Sequence, residues 1–224
     1  MSKYPYILFD ADDTLFHFNP HSGLREMFLQ SEIAFTLDHL ETFKKINNRL
    51  WDAFQKGEIS AQNLKEQRFA HLAAEFNKTS LELNDLFLKC MYEDCAPIDG
   101  AISLLNKLKG RATLGMVTNG FTNYQQERLE KSGLTNHFDI YVISEEIGIA
   151  KPNRKIFDHA LALMGNPNRD SVLMIGDSLD SDIQGGLNAG IHTCWFNLAK
   201  NSINTNIKPH YEVNSHQELE NILT

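Results

Sequence analysis

The chain has 224 residues, of which 42% are hydrophobic, and a formal net charge of -8 at pH 7. A chain of this length can bury one sizeable core and has room for a smaller inserted domain, which is the arrangement we expect. The acidic balance argues against a protein that coats a nucleic-acid polymer or binds an anionic membrane, since both need a basic surface. Small anions remain possible substrates, because a metal ion and one lysine can reverse the local electrostatic field.

The three cysteines, Cys90, Cys95 and Cys194, include no CxxC pair. Neither a disulfide framework nor a structural zinc site is therefore predicted, and a reducing, cytoplasmic compartment fits best. The N-terminus has only Lys3 before an apolar run that breaks at Asp10, which is too short for a signal peptide or a membrane span. We expect an unprocessed cytoplasmic protein with no membrane association and no obligatory protein partner.

The first predicted element is a short buried strand, Tyr6–Phe9, which ends on the acidic residues Asp10, Asp12 and Asp13. A strand that stops on carboxylates delivers them to the sheet edge where ligands of α/β folds bind. Side chains alternate along a strand, so Asp10 and Asp12 project to the same side if the extended geometry persists. Two convergent carboxylates suggest a divalent metal, a nucleophile with an acid/base partner, or both.

A helical block follows from about Ser22 to Met91, where apolar residues fall at helical spacing and no convincing strand interrupts them. It is predicted to be a helical bundle, inserted over residues 16–95 as a cap that covers the acidic motif. Its turns are marked by Gly57 with Ser60 and by residues 77–80. The apolar rows are Leu24, Met27, Phe28; Phe43, Ile46, Leu50, Phe54; Phe69, Leu72, Ala73, Phe76; and Leu83, Leu86, Phe87, Cys90, Met91.

From Pro97 onward the chain alternates between strand-like and helix-like stretches. Continuous apolar strands separated by amphipathic helices predict an α/β fold with a doubly wound, mostly parallel sheet. Residues 1–15 and 96–224 together form this predicted catalytic core. The further strands are predicted at Ala112–Val117, Ile140–Ile143, Val172–Ile175, Thr193–Phe196 and Tyr211–Val213, and helices at about 102–108, 123–132, 152–165, 180–189 and 217–223.

Polar groups suited to phosphoryl transfer follow four of the predicted strands. Transfer through a covalent aspartyl-phosphate needs a nucleophile, an acid/base, a cation and donors for the phosphoryl oxygens. Asp10 is the candidate nucleophile, and Asp12 could protonate the leaving oxygen and then deprotonate the attacking water. The other groups are Thr118-Asn119-Gly120, with a hydroxyl and backbone N–H groups; Lys151-Pro152, with a cation; and Gly176-Asp177-Ser178-Leu179-Asp180-Ser181-Asp182, with carboxylates for Mg²⁺.

These four motifs, in this order and at these strand ends, resemble those of the haloacid dehalogenase superfamily of hydrolases. The likeness covers the core, and the helical block stands in the position of the C1 cap of subfamily I. The resemblance implies that Asp10 is the nucleophile and Asp12 the general acid/base. It also implies that Mg²⁺, with Mn²⁺ as a substitute, is held by Asp10, the backbone carbonyl of Asp12 and Asp177.

The same resemblance implies that Thr118, Asn119 and Lys151 bind the phosphate of a small phosphate monoester, and that Asp182 supports the metal shell. Many members carry Gly where this chain has Asp13, which we interpret as a turn residue.

A narrower resemblance, to the YjjG-type pyrimidine 5'-nucleotidases, extends through the motif segments and the start of the helical block. It implies hydrolysis of deoxyuridylate, thymidylate and uridylate. Phosphoglycolate and sugar-phosphate phosphatases of the same architecture stay open as alternatives. A 2-haloacid dehalogenase is disfavoured because Asp12 suits a leaving oxygen rather than a halide, and a non-catalytic binding module because no chemical group is missing. Phe16 and Phe18 either stack on a pyrimidine base or anchor the cap hinge.

Overall fold

The structure is a computed structural model, which describes residues 3–93, 95–202 and 205–223. The chain divides into two compact units, residues 1–17 with 96–224 and residues 18–95, which we call the core and the helical unit. The first predicted domain boundary, after residue 15, lies two residues before this division, and the second coincides with it. Residues 1, 2, 94, 203, 204 and 224, which the predicted ranges include, lie outside the described residues.

Among the described residues, the core contains one sheet of six strands: β1 (Tyr6–Phe9), β2 (Thr113–Thr118), β3 (Ile140–Ile143), β4 (Val172–Gly176), β5 (His192–Phe196) and β6 (Tyr211–Val213). Their order in the sheet is β3-β2-β1-β4-β5-β6. Every pairing is parallel, so the doubly wound sheet is confirmed and is entirely rather than mostly parallel. Because β1 lies between β2 and β4, the acidic motif that follows β1 is at the centre of the carboxyl edge.

The central strands are buried on both faces, which explains their unbroken apolar sequences. Alternate side chains of β1 enter two different hydrophobic clusters: Ile7 and Phe9 pack on one side and Leu8 on the other. Helical residues complete both clusters, Leu104 and Leu129 in the first and Phe157 and Ala160 in the second.

The structure of the helical unit confirms the prediction that residues 22–91 form a series of helices. Ser60 caps α3 (Ala61–Arg68), since its side-chain oxygen accepts a hydrogen bond from the Asn63 N–H, and Asn77 ends α4 (Ala73–Phe76) with φ +49°. The third apolar row, Phe69 to Phe76, does not lie on a single helix, because it begins in the turn after α3 and ends in α4. The helices are α1 (Pro20–Gln30), α2 (Leu37–Gln55), α3 (Ala61–Arg68), α4 (Ala73–Phe76) and α5 (Ser80–Glu93).

The helices of the core lie close to their predicted positions, with two differences. The helix after β3 was not predicted, and the predicted helix over 180–189 is a π-helical turn, Leu179–Ile183, followed by a short α-helix. Among the described residues no helix has both the length and the apolar character of a bilayer crossing. The core helices are α6 (Ala101–Leu108), α7 (Thr122–Ser132), α8 (Ser144–Ile147), α9 (Arg154–Leu163), α10 (Gln184–Asn188) and α11 (His216–Leu223).

Candidate active site

Three carboxylates meet at the carboxyl edge of the sheet. Asp10 directly follows β1, Asp177 directly follows β4, and Asp182 lies in the π-helical turn. One oxygen of each lies within 4.8 Å of the others. The edge therefore concentrates negative charge at its centre, where adjacent parallel strands end.

A buried lysine lies among these carboxylates. Lys151 Nζ is 2.5 Å from Asp10 Oδ1 and 2.6 Å from Asp182 Oδ1, and it donates a hydrogen bond to the Val117 carbonyl at 2.8 Å. The ammonium group donates hydrogen bonds to Asp10 and to the Val117 carbonyl, and the Asp182 carboxylate lies within ion-pair distance. The lysine is thus held in one position and offsets part of the negative charge.

The position of Asp182 depends on a glycine. A Cβ atom at Gly176 would lie 2.3 Å from Asp182 Cγ, which is too close for any side chain there. Asp182 is fully buried, and its Oδ2 accepts a hydrogen bond from the Ser178 N–H at 3.0 Å. The Gly176-to-Asp182 motif therefore folds back on itself and presents the Asp182 carboxylate to Lys151.

The pKa values reflect crowding of like charges in a buried place. Burial raises the pKa of Asp10 to about 7, although the Lys151 charge opposes the rise. Burial, followed by the charges of Asp10 and Asp182, raises the pKa of Asp177 to about 9. Burial lowers the pKa of Lys151, but the two adjacent carboxylates outweigh that effect and raise it.

The residues at this edge fit a magnesium ion. Three carboxylates face one lysine, so the ammonium group alone leaves an excess of negative charge that a divalent cation would offset. Carboxylate oxygens are the ligands that Mg²⁺ prefers, usually one or two of them with substrate and water. The backbone of Asp177 is also fixed, because the Trp195 indole N–H donates to its carbonyl at 2.7 Å.

The side chain of Asp12 contacts helix α7 rather than the carboxylate cluster. Arg128 Nη1 lies 2.7 Å from Asp12 Oδ1, and the Arg128 side chain is fully buried, while that of Asp12 is 25% exposed. Burial lowers the pKa of Arg128, but the adjacent Asp12 carboxylate outweighs that effect and raises it. The predicted metal contribution of Asp12 is through its backbone carbonyl, which leaves this side-chain contact free to form.

Phe16 lies beneath the same guanidinium. The Arg128 Cζ atom is 4.5 Å from the centroid of the Phe16 ring, and Phe16 is fully buried. The ring therefore presents no face on which a base could stack. Asp13 takes the turn conformation expected of it, with φ +52°.

Thr118 and Asn119 lie at the end of β2. Thr118 Oγ1 accepts hydrogen bonds from the Gly120 N–H at 3.0 Å and from Gln125 Nε2 at 3.1 Å. The Asn119 side chain bonds the backbone of Lys151 at both ends: Lys151 N–H donates to Oδ1 at 2.8 Å, and Nδ2 donates to the Lys151 carbonyl at 3.0 Å. The structure thus places Asn119 as a support for the lysine.

Sequence reasoning missed Gln125 and Arg128. Both are fully buried on α7, one turn apart, and Arg128 Nε donates to Gln125 Oε1 at 2.8 Å. Polar residues three apart on the inward face of a helix, beside the apolar Leu129, are the signal that could have identified them.

Comparison with known proteins identifies the family. A model of the haloacid dehalogenase-like hydrolases matches residues 4–190. The chain belongs to this family. It is 46% identical over 221 residues to pyrimidine 5'-nucleotidase YjjG of Escherichia coli (strain K12), a match that covers 99% of this chain and 98% of that protein.

Two further relatives agree with this assignment. The chain is 34% identical to pyrimidine 5'-nucleotidase PynA of Streptococcus pneumoniae, over 96% of this chain and 93% of that protein. The crystal structure of the HAD-hydrolase YfnB from Bacillus subtilis, bound to magnesium, matches with a TM-score of 0.86 and 34% identity over 98% of both chains. The predicted family and fold are confirmed, and a relative with the same fold has been solved with magnesium.

Proposed function

We propose that the protein is a Mg²⁺-dependent phosphomonoesterase that hydrolyses pyrimidine nucleoside 5'-monophosphates, such as deoxyuridylate, thymidylate and uridylate. The observation that carries the proposal is the contact of the Asp10 carboxylate with the Lys151 ammonium, beside Asp177 and Asp182. The near full-length similarity to the nucleotidases YjjG and PynA supports the substrate class.

In the proposed reaction Asp10 attacks phosphorus, so that a new bond forms to Asp10 while the bond to the nucleoside oxygen breaks. Asp12 gives its proton to that departing oxygen. Water then attacks the aspartyl-phosphate, its proton passes to Asp12, and phosphate leaves as Asp10 is regenerated. Asp10 and Asp12 are thereby regenerated: a proton from water replaces the one that Asp12 gave to the nucleoside oxygen, and the net change is hydrolysis of the ester bond.

The other residues hold the reacting groups. Asp10 and Asp177, with the Asp12 carbonyl, would hold Mg²⁺, and Asp182 would support them; Mn²⁺ is a suitable substitute. When bound, the ion supplies positive charge against the transferring phosphoryl group. Lys151 orients Asp10 and binds phosphate oxygens together with Thr118, and we assign Asn119 to holding the Lys151 backbone.

The remaining predictions belong to the same proposal. The helical unit would act as the cap domain and set the preference for base and sugar. The cytoplasm is the proposed location, since the buried residues Cys90, Cys95 and Cys194 form no disulfide with one another, which suits a reducing compartment. Small phosphate monoesters are the only partners the proposal requires.

A substrate panel tests the proposal. Phosphate release is measured with purified protein and Mg²⁺ for uridylate, deoxyuridylate, thymidylate, adenylate, phosphoglycolate and glucose 6-phosphate, each repeated in excess EDTA. We expect the highest kcat/KM for the pyrimidine nucleotides and no turnover without a divalent ion. Higher kcat/KM for phosphoglycolate or the hexose phosphate would overturn the nucleotidase assignment, and turnover unaffected by EDTA would overturn the role of the metal.

A further inference from the structure

We propose that Arg128 and Gln125 are positioning residues, which fix the hydrogen-bond directions of Asp12 and Thr118 toward a bound phosphate ester. The inference rests on the proposed function, in which Asp12 moves the proton and Thr118 binds the phosphate. It concerns residues outside the four sequence motifs, and it is carried by five buried or half-buried hydrogen bonds.

The Arg128 guanidinium makes two contacts in fixed directions. Nη1 lies 2.7 Å from Asp12 Oδ1, and Nε lies 2.8 Å from the side-chain oxygen of Gln125. The guanidinium is planar and rigid, so the position of one contact determines that of the other. One side chain therefore holds the Asp12 carboxylate and the Gln125 amide in a single mutual arrangement.

The Arg128 contact also decides which way the Gln125 amide points. The Nε–H group can only donate, so the Gln125 atom that faces it must be the carbonyl oxygen. The amide nitrogen then faces the opposite way, 3.1 Å from Thr118 Oγ1 and 3.4 Å from Asp12 Oδ2. Gln125 is thus a donor, never an acceptor, toward both site residues.

The direction of the Thr118 proton follows. A hydroxyl has one proton and two lone pairs, and both lone pairs of Thr118 receive N–H groups, one from Gly120 at 3.0 Å and one from Gln125. The Thr118 proton is consequently left to point elsewhere. A phosphate oxygen, which can only accept when ionised, is the complementary partner.

A glycine makes room for this arrangement. A Cβ atom at Gly120 would lie 2.0 Å from Gln125 Nε2, so any other residue would displace the amide. Gly120 also provides the N–H that Thr118 accepts. The Thr118-Asn119-Gly120 motif therefore needs its glycine for Gln125 as well as for any approach of backbone to phosphate.

Stability alone gives little reason for a buried arginine at this position. The Arg128 side chain is fully buried, and its Nη2 has no hydrogen-bond partner among the described residues. Replacing a buried ion pair by well-packed apolar groups is often neutral or stabilising. The arrangement is better explained by the two contacts it imposes on Asp12 and Gln125.

The experiment compares two substrates that differ in leaving group. Uridylate needs a proton on its departing oxygen, whereas 4-nitrophenyl phosphate releases a stable anion and does not. With Mg²⁺, we expect Arg128→Met to lower kcat/KM for uridylate by about 10²-fold, because Asp12 is displaced, and to lower kcat/KM for 4-nitrophenyl phosphate much less. Arg128→Lys retains a cation beside Asp12 and should recover part of the loss.

Two further variants separate the two contacts. Gln125→Leu should lower kcat/KM for both substrates by nearly the same factor, since both carry the phosphate that Thr118 binds and the Gln125 contact with Asp12 is the longer one, at 3.4 Å. Arg169→Met is the matched control: Arg169 contacts Asp158 at 2.7 Å and lies before the amino end of β4, so its removal should leave the ratio of the two kcat/KM values unchanged.

Equal losses for both substrates in Arg128→Met and Arg128→Lys would overturn the inference, and so would wild-type kinetics in either variant. If Arg128→Met does not fold, Arg128→Lys carries the test. Asp12→Asn in the same assay shows the size of a pure proton-transfer loss. Failure of the proposed function is seen separately, as the absence of uridylate turnover by the unsubstituted protein; an alkyl phosphate identified in the panel then replaces uridylate.

Discussion

Each of the two compact units buries an arginine beside aromatic rings, but the two arginines contact different groups. In the core, Arg128 contacts the Asp12 carboxylate at 2.7 Å. In the helical unit, Arg68 donates through Nη2 to the side-chain oxygen of Asn84, an uncharged amide. The pKa of Arg128 is raised, whereas burial lowers the pKa of Arg68 to about 9.

The difference shows that buried polar groups serve different purposes in the two units. The core places charged side chains at one edge of its sheet, where they can act on a phosphate. The carboxylates among them lie close together. The Arg68–Asn84 contact in the helical unit joins α3 to α5 and orients packed helices. Substitutions at the core edge should therefore change turnover more than the free energy of unfolding. Substitutions at the Arg68–Asn84 contact should change the free energy of unfolding.

The largest expected effect is on the nucleophile. Asp10→Asn should lower kcat for uridylate by about 10⁴-fold or more, because the amide cannot form the aspartyl-phosphate. The free energy of unfolding should fall little, since Lys151 keeps its contact with Asp182. Phosphate release and urea unfolding measure the two quantities. Wild-type turnover by this variant would contradict the covalent mechanism.

The next effect is a pH dependence of stability in the metal-free protein. The pKa of Asp10 is about 7 and that of Asp177 about 9, both above the value of about 4 in an unfolded chain. Between these values the folded state binds more protons than the unfolded state, so stability decreases as pH rises from about 5 to 9.

Urea-unfolding midpoints in EDTA, measured over that range, should fall with pH and should fall less when Mg²⁺ is present, because the ion stabilises the charged carboxylates. Asp177→Asn removes one of the two groups and should flatten the dependence. A midpoint that rises with pH in EDTA would contradict the crowding of charges at the core edge.

A smaller effect is expected for Asp182, the proposed support of the metal shell. Asp182→Asn should weaken Mg²⁺ activation by about 10- to 100-fold in half-saturating concentration, as is usual for groups that support metal ligands. The exposed neighbour Asp180 provides the matched control, Asp180→Asn, which should leave that concentration unchanged. Identical Mg²⁺ dependence in both variants would remove Asp182 from the metal site.

The smallest effect is in the helical unit. Arg68→Met leaves the fully buried Asn84 oxygen without this donor, which should lower the free energy of unfolding by about 1–3 kcal/mol. Adding Asn84→Leu removes the stranded amide and should recover much of the loss. Urea unfolding of both single variants and the double variant forms the cycle. A double variant as unstable as the sum of the singles would show that the contact contributes nothing.

The fold was largely predictable because its signals are local. The strands Tyr6–Phe9, Ile140–Ile143 and Tyr211–Val213 have their predicted bounds, since an apolar run between turn residues marks a buried strand. The π-helical turn at residues 179–183 was less predictable, because five residues are too few to distinguish π-helical from α-helical spacing. The short helix α8 is only one turn long and has no periodicity to read.

The candidate site was predictable only in part. That Asp10, Lys151 and Asp177 lie at one edge follows from the rule that parallel strands end together, and the rule needs only their order along the chain. No such rule predicts that the side-chain amide of Asn119 forms hydrogen bonds with the Lys151 backbone.

The sequence by itself therefore determined which segments form strands and which polar residues follow them. Tertiary structure alone decided the contact of Asp12 with Arg128, 116 residues away in the chain. It also decided that Asp182 packs against Gly176, which places its carboxylate beside Lys151. The physical reason is that residue order sets which strand end a side chain occupies, whereas its direction and hydrogen-bond partners depend on how distant segments fill the same buried volume.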